Sequence, residues 1–86
     1  MPEISRFFGI VISMYHEDHA PPHFHARYSG FKARIAISDM EVLTGSLPPR
    51  VLGLVVEWAA IHQPELELDW SKAGRREPLD AIEPLR

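Results

Sequence analysis

A chain of 86 residues with no cysteine and a formal net charge of −3 excludes a disulfide scaffold, a thiolate zinc site and a cysteine nucleophile, and argues against coating nucleic acid by bulk charge. The length sets a single domain, residues 1–86, with a small core, and 45% apolar with 24% charged residues is the balance of a folded chain. No apolar run is long enough to span a bilayer and no basic start leads into an apolar stretch, so no membrane contact and a cytoplasmic location are expected.

Ile4 to Tyr15 reads as one strand. Phe8, Ile10, Ile12 and Met14 share one parity, and Phe7, Val11 and Tyr15 share the other, which predicts a central strand covered on both faces. Gly9 marks a bulge or a close backbone contact within it. His16 to Pro22 is polar and ends in Pro21-Pro22, which makes a stiff loop. A second strand follows from His23 to Tyr28, Ser29-Gly30 forms a two-residue hairpin turn, and a third strand runs from Phe31 to Ile37.

That turn fixes a register of Tyr28 with Phe31, Arg27 with Lys32, Ala26 with Ala33, His25 with Arg34, Phe24 with Ile35 and His23 with Ala36. One face then carries Phe24, Ala26, Tyr28, Phe31, Ala33 and Ile35 toward the core. The other carries His23, His25, Arg27, Lys32 and Arg34 into solvent. A slip of one residue would mix the two sets.

Ser38-Asp39 reads as a turn and Met40 to Thr44 as a short edge strand, with Ser46 as the N-cap of a helix that accepts Pro48 or Pro49 in its first turn. Val51, Leu52, Val55, Trp58, Ala59 and His62 recur at helical spacing. Gln63-Pro64 breaks this helix. A second helix is predicted over Pro64 to Ala73, with Gly74 as its cap, and a short strand over Leu79 to Ile82. Trp58 and Trp70 are core anchors, and His62 sits where it can meet terminal carbonyls. The fold class is α+β: a small, mainly antiparallel β-sheet with two C-terminal helices packed on one face. Its short edge strands allow a homodimer.

The chemistry is concentrated between His16 and Arg27, which holds four of the five histidines. Three readings stand side by side. In the first, His16, His19, His23 and His25, with Asp18, hold a divalent transition metal such as zinc, and the protein is a metal-dependent hydrolase or nuclease. His23 and His25 are two apart on a strand and share a face. Arg27, Lys32 and Arg34 on that face work against a cation. In the second, His23, His25, Arg27, Lys32 and Arg34 contact phosphate or RNA, with Asp18 and His19 orienting the loop. In the third, the same face is solvated or meets a small acidic partner protein.

Several stretches together resemble one family: the start Met1-Pro2-Glu3-Ile4-Ser5-Arg6-Phe7-Phe8-Gly9-Ile10, then Asp18-His19-Ala20-Pro21-Pro22-His23-Phe24-His25-Ala26-Arg27-Tyr28, Leu47-Pro48-Pro49-Arg50, Glu57-Trp58-Ala59 and Ile82-Glu83-Pro84-Leu85. The chain is similar, nearly end to end, to the small bacterial and archaeal proteins called domain of unknown function 4160. The resemblance supplies no activity. Members are often encoded beside another small protein family, which implies one half of a toxin–antitoxin-like pair. The expectation is a binding module that contacts phosphate, RNA or a partner protein through the histidine loop and the basic hairpin face, with the metal-dependent hydrolase as the alternative.

Overall fold

A computed structural model describes residues 2–86. Strands β1 (Glu3–Phe7), β2 (Ile10–Ser13), β3 (His23–Tyr28), β4 (Phe31–Ala36) and β5 (Val42–Ser46) form one antiparallel sheet in chain order, followed by helices α1 (Pro49–Ile61) and α2 (Gln63–Gly74). The expected α+β architecture is the one observed. No helix among the described residues is long and apolar enough to cross a membrane.

The hairpin register of β3 and β4 is the predicted one at all six pairs, from His23–Ala36 to Tyr28–Phe31. The residue with left-handed backbone in its turn is Ser29, at φ +54°, rather than Gly30. The expected first strand is in fact two. Phe8 and Gly9, at φ +50° and +79°, reverse the chain, and Phe7 pairs with Ile10. Two consecutive positive φ values make the tight turn that suits the twist of a hairpin. A phenylalanine at the first of them disguised the turn, because asparagine or aspartate is the usual signal there.

Further boundaries also shift. The turn after β4 takes in Ile37 to Asp39, so β5 begins at Val42 rather than Met40 and runs through Ser46. Ser46 is therefore a strand residue, and Pro48 stands at the N-cap of α1 without a side-chain bond. Gly74 is the last residue of α2, and Arg75 follows as its cap. Leu79 to Ile82 forms no strand. It lies against β1 as an irregular segment, with Ile82 N–H donating to Ile4 O at 2.8 Å. His62, between the helices, places Nδ1 2.8 Å from Glu65 Oε1 rather than on helix carbonyls, and its ring tilts against Trp58.

The apolar face of the sheet packs under α1. Phe24, Ala26 and Ile35 are fully buried, and Val51, Val55, Trp58 and Ala59 cover them from the helix. Trp58 is the central anchor, 5.4 Å from Phe7 and 5.9 Å from Phe24 between ring centroids. Tyr28 and Phe31 lie at the hairpin end, where cover runs out, and Phe31 is exposed. Trp58 Nε1–H donates to Glu83 O at 2.8 Å, which ties the C-terminal segment to the core. Trp58→Phe deletes that donor while keeping an aromatic ring. It is expected to cost about 1–2 kcal/mol, read as a lower urea midpoint at an unchanged slope. A changed slope would point instead to loss of the whole C-terminal segment.

Asp69 of α2 is buried. Its Oδ1 accepts the Asp80 N–H at 2.9 Å, and its Oδ2 has no hydrogen-bond partner. Burial pushes this carboxyl above its usual range, against the Asp80 N–H bond and with the Asp80 carboxylate adding to the rise. A carboxyl raised in the folded state contributes stability that is full below its unfolded pKa and is lost as pH climbs through the folded value. Asp69→Asn removes this ionisation. Melting temperatures of parent and variant should therefore diverge in the variant's favour as pH rises out of the ordinary carboxylate range. Parallel profiles would show that Asp69 is not the group responsible.

Candidate metal centre

The loop after β2 bends back so that Asp18 meets the first half of β3. Asp18 Oδ2 lies 3.0 Å from His23 Nε2 and 3.1 Å from His25 Nε2. Its other oxygen accepts the His19 backbone N–H at 2.8 Å. The two imidazoles stand on the same face of β3 with centroids 5.1 Å apart. His23 Nδ1 is 2.8 Å from Pro21 O, and the Ala20–Pro21 peptide bond is cis. Asp18, His23 and His25 thus bring three ligand atoms within 4.8 Å of one another.

The expected solvated face needs correction at His23, whose ring is 1% exposed. It sits against Trp70 of α2, 5.3 Å between centroids, so Trp70 roofs the site while remaining partly exposed itself. His25 is half-buried, with Tyr15 edge-on at 4.5 Å. Arg27 and Lys32 are exposed, as expected, and Arg34 is half-buried with Nε–H donating to Thr44 Oγ1 at 2.9 Å.

Two of the four histidines expected to gather do not. His16 points away, its Nε2–H donating to Glu77 O at 3.1 Å, because Glu17 N–H is already fixed to Ala73 O at the end of α2. Glu17 also forms an ion pair with Arg76. His19 contributes only its backbone N–H, and its side chain lies in solvent. Asp18, expected as a ligand or to orient the loop, is the hub. Thr44 joins the site through the pairing of β4 with β5, which sets it opposite Arg34.

Hydrogen-bond logic places one proton. A ring nitrogen 2.8 Å from a carbonyl oxygen must carry hydrogen, so His23 donates from Nδ1. In the neutral ring its Nε2 is then a bare lone pair facing a carboxylate oxygen at 3.0 Å. Two acceptors that close require a positive charge between them, either a second proton on a buried ring or a metal ion. Burial acts to raise the Asp18 carboxyl, but bonds from His25 and the His19 N–H, with His23 beside them, outweigh it and hold the carboxyl below its usual range. Burial is also the largest influence on His25 and lowers its imidazole; Asp18 opposes this, and His23 and Arg34 reinforce it. These directions favour carboxylate at Asp18 and neutral imidazole at His25.

Two cavities flank the cluster. One of about 340 Å³ is lined by His25, Lys32, Ala33, Arg34, Thr44 and Gly45. A smaller one of about 170 Å³ lies between Asp18, Ala20, Trp70, Ala73 and Gly74. A third, about 410 Å³, shares no lining residue with the cluster and lies between Phe8, Tyr28 and the start of α1.

The family described as domain of unknown function DUF4160 matches residues 9–71, well over half of the chain. The chain belongs to the DUF4160 family. No curated protein and no solved structure matches it. The DUF4160 match takes in the loop, β3 and β4, and most of α2 as far as Ser71, so every side chain of the cluster and its roof lies inside the matched region.

Proposed function

We propose that this protein is a divalent-metal centre of the hydrolytic kind, with Asp18, His23 and His25 as ligands. One observation carries the reading: the Nδ1–H bond to Pro21 O turns His23 so that its Nε2 lies 3.0 Å from the Asp18 oxygen that also meets His25. Metal-ligating imidazoles are held in just this way, with the other ring N–H on a carbonyl or carboxylate. The spacings agree. An ion with bonds of about 2.0–2.2 Å keeps neighbouring ligands about 2.8–3.1 Å apart in an octahedron and about 3.3–3.6 Å apart in a tetrahedron. The Asp18–His23 and Asp18–His25 separations are 3.0 and 3.1 Å, so these contacts match the octahedral spacing. A second proton on His23 would satisfy the same pair, and the zinc titration below tells the two apart.

Two imidazoles and one carboxylate suit zinc and iron(II) alike, and three protein ligands leave positions for water. A bound divalent ion lowers the pKa of such a water toward neutrality and makes it a nucleophile. The site's own residues supply the rest. Trp70 shuts solvent away from His23, while His25 faces the open cavity.

The test is a zinc titration of untagged protein, followed through the histidine ring NMR signals. The His23 and His25 rings should shift together to an end point of one zinc per chain, and His16, His19 and His62 should not move. His25→Ala is the control that keeps the fold, since its ring is half-buried. His23→Ala is a poor control, because it also empties a space beside Trp70. Weak binding spread over all five histidines would refute the reading.

A further inference from the structure

Resting on that metal reading, we propose that the ligand class of the centre is a phosphate monoester, its dianionic phosphate seated between the metal position at His25 and the side chains of Lys32 and Arg34. Charge supplies the first argument. A divalent ion held by a single carboxylate keeps a net positive charge. The cavity beside it adds Lys32 and Arg34 and has no acidic side chain in its lining. Of that surplus of three positive charges a dianion offsets two, whereas a monoanion such as a carboxylate offsets only one. The same surplus answers the objection that basic residues repel a metal: metal and dianion enter as a neutralising pair.

Geometry supplies the second. Arg34 pairs directly across the ladder from His25, and Lys32 lies one same-face position further along β4. Thr44 Oγ1 accepts the Arg34 Nε–H at 2.9 Å, which holds the guanidinium in place. Its two terminal nitrogens, like the Lys32 ammonium, are in no ion pair among the described residues. A planar pair of N–H groups matches two phosphate oxygens. The volume of about 340 Å³ lies at the small end of ligand pockets, enough for a phosphate and part of the group esterified to it.

The experiment titrates uridine 5′-monophosphate into zinc-loaded protein, reading the Arg34 Nε–H and His25 ring signals, with acetate as the monoanion and the dinucleotide UpU as the diester. The monophosphate should bind tightest of the three, and more weakly when zinc is withheld. Arg34→Gln and Lys32→Gln should each weaken it about tenfold while zinc affinity holds or rises. Zinc binding with no preference for the monophosphate over acetate, or with both variants indistinguishable from the parent, overturns the proposal. Tighter binding of UpU overturns the dianion assignment. Failure of zinc itself to bind removes the metal reading and this inference together, so the two failures are told apart.

Discussion

Asp18→Asn should yield a folded protein in which the proposed zinc binding is greatly weakened. The substitution keeps size and shape, and its amide fits the metal-free network well. Oδ1 can still accept the His19 N–H, and an NH₂ in place of Oδ2 can donate to both imidazoles in their neutral forms. Because the folded state holds the Asp18 carboxyl below its usual range, the carboxylate contributes stability at neutral pH, so the metal-free variant should be somewhat less stable than the parent there, with the gap closing as pH falls through the carboxylate range. Zinc affinity should fall on the order of a hundredfold or more, since perturbing even a supporting partner of a metal ligand costs 10–100-fold. The pair of readouts separates two roles for one residue. If Asp18 serves only as a hydrogen-bond acceptor, the zinc isotherm is the same in both proteins. If Asp18→Asn unfolds, the carboxylate is structural and the amide network drawn above is wrong.

Gly45→Ala should be the most damaging single-methyl change in the sheet. Gly45 has φ +78°, and a Cβ built there would stand 2.1 Å from Lys32 O and 3.0 Å from Ala33 Cα. Both neighbours are backbone, so relief requires β5 to move away from β4. Left-handed strain alone costs about 1–3 kcal/mol, and the clash brings the expected loss to about 3 kcal/mol or more, a large part of the stability of a domain this small. Gly53→Ala is the matched control. Gly53 is exposed in the middle of α1 with nothing within 4 Å of the added methyl, so the change should stabilise by about 0.5–1 kcal/mol. Denaturant midpoints moving in opposite directions would confirm that position, not chemistry, decides. Because Gly45 lines the cavity shared by His25, Lys32 and Arg34, the variant should also lose whatever that cavity binds.

The β3–β4 hairpin was legible in the sequence because period two, a two-residue turn and a clean split of side chains all gave one register. The hairpin of β1 and β2 was hidden because its turn places Phe8, an aromatic residue, in left-handed backbone. The four loop histidines looked equivalent as letters. Only the fastening of the loop onto α2 turns His16 outward and leaves His19 in solvent. The depth of His23 was also out of reach, since Trp70 lies 47 positions further along the chain and nothing local announces their meeting. Asp18 was named as a loop residue, yet its convergence on two rings of the next strand follows from the bend of the backbone between them.

That fastening has a dynamic consequence. Glu17 is held to Ala73 by its backbone and to Arg76 by its side chain, His16 is held to Glu77, and His23 lies under Trp70. The segment carrying Asp18 therefore cannot swing out as an independent flap without breaking its ties to the far end of α2. In amide hydrogen exchange, the residues flanking Asp18 and the last turns of α2 should open as one cooperative unit, at a shared rate that a ligand of the cluster slows in both places at once.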